Sequence, residues 1–237
     1  MPAAFSSAWA WTTSADIRMR ALFAGLRRWL QPQPSPDPAR WVVLDVETTG
    51  LDVRHDRLLA IAAIALQVHE GRVCIALGDS FEVVLGRNTG PAAPDKANIL
   101  LHGIGVGAQR AGMPPAEALA AFARYVGTAP LIAFHAAFDR AMIERAIKAE
   151  QAPALANRWL DLEPLAAVLH PSVRARALDE WMTEFGIRCA VRHQAAADTL
   201  ATAELLLKLW PALCVQCPRP SFAAAAHLAA QRRWVQG

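Results

Sequence analysis

The sequence predicts an α/β protein, built on a mixed central β-sheet of about five strands, the first three antiparallel, flanked by α-helices. Three observations predict this class. Apolar runs of strand length stand at 41–46, 57–68 and 72–85, the last two separated only by the tripeptide HEG. Short apolar runs then alternate with helix-periodic segments from residue 114 onward. The composition, 54% hydrophobic and 19% charged, supplies a substantial core and excludes the disordered regime.

Taken in order, WVVLDV is a strand buried on both faces, because Val42, Val43, Leu44 and Val46 leave no polar face. A turn containing Gly50 follows it. The run Leu58 to Val68 is about half of the ~20 residues that a membrane-spanning helix requires, and it reads as a buried strand. Pro114 to Val126 has helical periodicity, Pro130 to Phe134 is a short strand, Phe138 to Ala149 is helical, and Trp159 to Leu162 is another strand. Helices dominate from there through Leu209, and Ser221 to Val235 reads as a terminal helix with Phe222, Leu228, Trp234 and Val235 as apolar contacts.

The termini are read separately. Residues 1–38 hold an amphipathic helix, with Met19, Leu22, Phe23, Leu26 and Leu30 at helical spacing, and the proline-rich linker QPQPSPDP. That helix is expected to pack on its own domain rather than on a membrane. Residues 39–212 form the main domain and 213–237 a C-terminal helical extension.

Lys and Arg number 24 against 21 Asp and Glu, a formal charge of +3 that permits a polyanionic partner without requiring one. Four cysteines and no convincing secretory signal lead to the expectation of reduced thiols and a cytoplasmic location. Cys214 and Cys217 have the spacing of half a zinc site, but no second pair follows and only His227 is near, so zinc is not expected.

Asp45 and Glu47, two apart on the first strand, point to one face by the strand's period of two, where they can grip one cation. Acids ending a buried strand otherwise have to meet solvent. Asp139 falls in about the first turn of the helix after PLIAF, where helix capping is an alternative use for a carboxylate. His193 and Asp198 would lie about 140° apart on one regular helix and share no face. With His193 in the loop before the helix and Asp198 inside it, the imidazole can swing over the carboxylate, and this arrangement predicts a mobile histidine.

DVETTG, then AAFD, then H-x4-D resemble the DEDDh (DnaQ-like) 3′-5′ exonuclease family, which includes polymerase proofreading subunits such as DNA polymerase III epsilon. The resemblance covers roughly 40–211 and extends to LHGIG at 101–105 and LDLEPLA at 160–166. It implies an RNase H-like exonuclease fold, with Asp45, Glu47, Asp139 and Asp198 as ligands of two divalent metal ions, Mg²⁺ or Mn²⁺, and His193 as general base. It also implies that Thr48, Thr49, Gly50 and Leu51 hold the terminal nucleotide. His102 and Phe138 are lesser substrate-contact candidates, with core packing an equal reading for Phe138. Phe134 and His135 stand where many relatives have His-Asn, which puts the substrate hydrogen bond supplied there in question.

The implied substrate is the 3′ end of single-stranded nucleic acid, DNA favoured over RNA, with release of nucleoside monophosphates. A DNA polymerase or another protein is a candidate partner, and no membrane is expected. The alternatives are an RNA-trimming exoribonuclease, a polymerase-associated proofreading subunit and, from a different class, a non-catalytic nucleic-acid-binding module.

Overall fold

The unbroken apolar sequence of β1 (Arg40–Thr48) puts it at the centre of a five-stranded sheet of order β3-β2-β1-β4-β5. A computed structural model describes residues 37–69, 71–86, 103–189 and 192–235. The helix read within 17–30 and His102 lie outside the described residues.

β2 (Leu58–His69) and β3 (Arg72–Val84) form the long antiparallel hairpin expected from the HEG turn, and β2 runs antiparallel to β1. β4 (Leu131–Ala133) and β5 (Trp159–Asp161) are short and parallel to β1. The C-terminal ends of β1, β4 and β5 therefore share one edge of the sheet, which is where open α/β sheets place their ligands.

The period of two assigns each side of β1 to its own core. Val42, Leu44 and Val46 pack with Leu119 and Phe122 of α2 (Pro115–Val126) and with Met142 and Ile143 of α3 (Ala136–Glu150). Trp41 and Val43 face the other layer, made by α4 (Leu162–Leu169), α5 (Leu178–Phe185), α6 (Ala195–Gln216) and α7 (Phe222–Val235). The short α1 (Val106–Ala111) precedes α2.

In the second layer Trp41 meets Trp210 and Phe222 edge-on, with ring centroids 5.6 and 5.3 Å apart. Trp210 Nε1 donates to the Gly71 carbonyl at 2.8 Å, and the Cys214 thiol approaches the same oxygen at 3.6 Å. Phe222 and Leu228 of α7 are buried as the sequence suggests.

Candidate active site

Asp45 and Glu47 follow Val43 in alternate positions of β1, so both carboxylates emerge on the face covered by α6. Asp198 sits in the first turn of α6 and meets them there. The next residue, Thr199, donates its hydroxyl to the Ala62 carbonyl of β2 at 3.3 Å, which pins this end of the helix to the sheet. One carboxylate oxygen from each of Asp45, Glu47 and Asp198 lies within 4.8 Å of the other two.

Asp139 arrives from the opposite layer, in the first turn of α3, where the backbone N–H of Val46 favours its charged form. It is only 4% exposed and Asp198 only 6%. Asp139 belongs to the same electrostatic cluster, since its charge acts on Asp45.

Burial, then the neighbouring charges of Asp139, Glu47 and Asp198, push the Asp45 carboxyl well above the usual carboxylate range. Glu47 is raised to about 7, first by burial and then by Asp198. Asp139 is raised by burial, and by Asp161 and Glu47 against the pull of its backbone donors.

His193 occupies the turn before α6 in the left-handed region, with φ 60°, and its backbone N–H donates to Asp198 Oδ2 at 3.1 Å. The loop-then-helix arrangement anticipated from the five-residue spacing is the one observed. Arg192, which the sequence reading did not single out, pairs with both Asp198 and Asp179 of α5. Burial opposes its charge, but these two carboxylates outweigh that and raise its pKa. Its position beside the histidine was the one available signal.

The turn after β1 is organised by Asp56, also missed from the sequence. Thr49 Oγ1 donates to Asp56 Oδ1 at 2.7 Å, and Asp52 N–H donates to Asp56 Oδ2 at 2.8 Å. A Cβ on Gly50 would lie 2.5 Å from Asp56 Oδ2, so only glycine lets this carboxylate close the turn. The Thr48 hydroxyl donates to the Gly50 carbonyl at 2.6 Å. Both threonine hydroxyls are thus bonded within the turn, which leaves its backbone and the 85%-exposed Leu51 to face outward. Phe138 is half-buried and packs on the α2–α3 core, next to Asp139.

His135 caps α3 at φ 61°, ψ 46°. Asn and His are among the non-glycine residues enriched there, so the His-for-Asn departure keeps a backbone requirement. Its N–H donates to Asp161 Oδ1 at 3.0 Å.

Asp45, Glu47 and Asp139, raised by burial and mutual repulsion, form together with Asp198 a donor set of hard oxygens suited to divalent cations. Residues 42–206 match the model of the RNase T exonuclease family. The chain is a member of that exonuclease family. Family membership makes it a hydrolase of the DnaQ-like group, and divalent-metal dependence goes with that family.

The exonuclease is 29% identical over 176 residues to a PolC-type DNA polymerase III of Latilactobacillus sakei, a match covering 73% of this chain and 11% of that protein. It is 33% identical over 180 residues to a DNA polymerase III subunit epsilon-like protein of Rhodobacter capsulatus, covering 75% and 24%. The chain therefore spans a quarter or less of these relatives. Among solved structures, E. coli exonuclease I in complex with a dA16 oligonucleotide superimposes with a TM-score of 0.60 at 21% identity, covering 76% of this chain and 42% of that one. This likeness confirms the mixed five-stranded, RNase H-like fold. No helix among the described residues of the exonuclease is long and apolar enough to cross a membrane.

Proposed function

We propose that this exonuclease removes nucleoside monophosphates from the 3′ end of single-stranded nucleic acid, DNA favoured, and that residues 39–212 hold the machinery. The observation that carries the reading is the convergence of Asp45, Glu47 and Asp198 within 4.8 Å, with buried Asp139 beside them.

Asp45, Glu47, Asp139 and Asp198 would hold two divalent ions, Mg²⁺ or Mn²⁺, which when bound neutralise the carboxylates, activate a water and stabilise the attacking and leaving oxygens. His193, whose turn is bonded to Asp198 through its backbone N–H, would accept the proton of the attacking water as general base. Arg192 holds the histidine's turn against α5 and α6 through its two carboxylate partners. Leu51 and the backbone of residues 48–51 would receive the terminal nucleotide, Leu51 against the base. Phe138 would support Asp139 from the side, and His102 stands as a further candidate contact.

Exonuclease I is seen with single-stranded oligonucleotides, which favours DNA for this fold. Purified protein is to be incubated with 5′-labelled single-stranded DNA and RNA, with free or blocked 3′ ends, in Mg²⁺, Mn²⁺ or EDTA. The expected product is a metal-dependent ladder from free 3′ ends only, stronger on DNA. Products from blocked ends would overturn the direction; equal or better trimming of RNA would turn the reading to an exoribonuclease.

The polymerase relatives favour a second reading, a proofreading role beside a DNA polymerase. Co-elution with a replicative polymerase subunit and faster removal of a mismatched terminus in its presence would support that role.

A further inference from the structure

Along the same sheet edge as the carboxylates, a groove of about 540 Å³ opens between the ends of β4 and β5 and the side of α7. Its near end is formed by His135, just after β4, and Asp161, the last residue of β5. Asp161 pairs in register with Ala133, and its charge acts on Asp139. The groove therefore begins at a carboxylate that neighbours Asp139 of the acid cluster. α7 lines it with Ala226, Ala229, Ala230 and Arg232, and the exposed Arg176 lines it as well.

The two acids of the groove are already engaged. Asp161 Oδ1 accepts the backbone N–H groups of His135 and Glu163, at 3.0 and 3.2 Å. Glu163 is paired with Arg232. Arg176 differs: its side chain is exposed and makes no hydrogen bond or ion pair among the described residues, apart from a through-space attraction to Glu180. The exposed His135 ring is a second donor at the mouth. Between them, half-buried Trp159 and the alanine-lined helix offer apolar surface. An unpaired guanidinium beside an apolar helix wall, next to a candidate phosphoryl-transfer site, matches a sugar-phosphate backbone.

We infer that this groove carries the nucleotides immediately upstream of the scissile phosphate in a single strand, with Arg176 and His135 on phosphates and α7 as the wall against which the strand lies. The inference rests on the exonuclease reading and adds a substrate-binding role for the C-terminal helix.

The test uses the full chain and two variants outside the acid cluster, Arg176→Glu in the lining and Ala230→Trp to fill the groove. Affinity for a fluorescent single-stranded oligothymidylate is read by anisotropy in EDTA. Hydrolysis of the p-nitrophenyl ester of thymidine 5′-monophosphate, too short to reach the groove, is read with Mn²⁺. Removing one charge-assisted hydrogen bond is expected to weaken oligonucleotide binding about tenfold in Arg176→Glu, with the salt dependence shallower by roughly 0.7 for each phosphate that is no longer neutralised. Ala230→Trp is expected to weaken it similarly, and both variants should hydrolyse the ester at the unmodified rate.

Unchanged oligonucleotide affinity in Arg176→Glu, or an equal drop on ester and oligonucleotide, would overturn the groove. An unmodified protein that hydrolyses neither substrate would sink the exonuclease reading, while the anisotropy arm still decides the groove. Should Ala230→Trp melt early, Arg176→Glu at an exposed position carries the test alone.

Discussion

Asp45 is the residue on which every other acid of the cluster acts, so its removal separates chemistry from folding. Asp45→Ala is expected to lower nucleotide release by at least about a hundredfold. Its melting temperature in EDTA should be equal to or above that of the unmodified protein, since a buried, repelled carboxyl is gone. Near-normal release would defeat the mechanism. Glu47 gives a pH signature. Its folded pKa of about 7 lies above the ordinary 4.5, so the folded state binds the proton more tightly. The stability this contributes is complete below pH 4.5 and is lost as pH rises through about 7. Thermal melts in EDTA across that window should therefore fall with pH more steeply than those of Glu47→Gln. Parallel slopes would refute the shift. At this scale the sequence was informative where spacing had a geometric meaning: two residues on a strand for Asp45 and Glu47, loop and helix for His193 and Asp198. It was silent on Arg192, Asp56 and Asp161, whose partners Asp179, Thr49 and His135 meet them only through turns and packing that no periodicity encodes.

The elements most readable in advance were the long ones. β1, β2 and β3 each carry an extended run that fits a strand, and the hairpin turn between the last two is too short for any other connection. The six-residue α1 went unread because it lacks an acidic first turn and is flanked by glycines. The helical reading stopped at Leu209, yet α6 continues to Gln216 through Pro211, whose ring removes one internal hydrogen bond and crowds the carbonyl four residues before it. Burial of Leu209, Trp210 and Leu213 around it offsets both costs. At the end of α3, Gln151 is held at φ 53°, ψ 32°, a conformation that costs a side-chain-bearing residue about 1 kcal/mol relative to glycine. Gln151→Gly is thus expected to stabilise the protein by about that amount in urea unfolding, without changing nucleotide release. A destabilised variant would show that the cap carries no strain.

The whole molecule is needed for the site, because β1, α3 and α6 bring their acids from two different layers and from distant parts of the sequence. Divalent cations that recognise only this closed arrangement must stabilise it. At a hundred times its dissociation constant each Mn²⁺ should add about 2.7 kcal/mol, measured as a rise in melting temperature that EDTA reverses. A rise of the same size in Asp45→Ala would place the ions elsewhere. α6 is the long member that makes closure exact in phase as well as in position. Asp198 stands at its start in the acid cluster, and Trp210, bonded to Gly71 at the opposite hairpin turn, stands about 18 Å along its axis. Because both ends are fastened, the helix acts like a keyed shaft. One residue inserted or deleted anywhere between them would turn Asp198 by about 100° relative to Trp210. Reading-frame-preserving indels in this span should therefore be as damaging to catalysis as removal of the carboxylate itself, even at the Trp210 end, about 18 Å along the axis from Asp198.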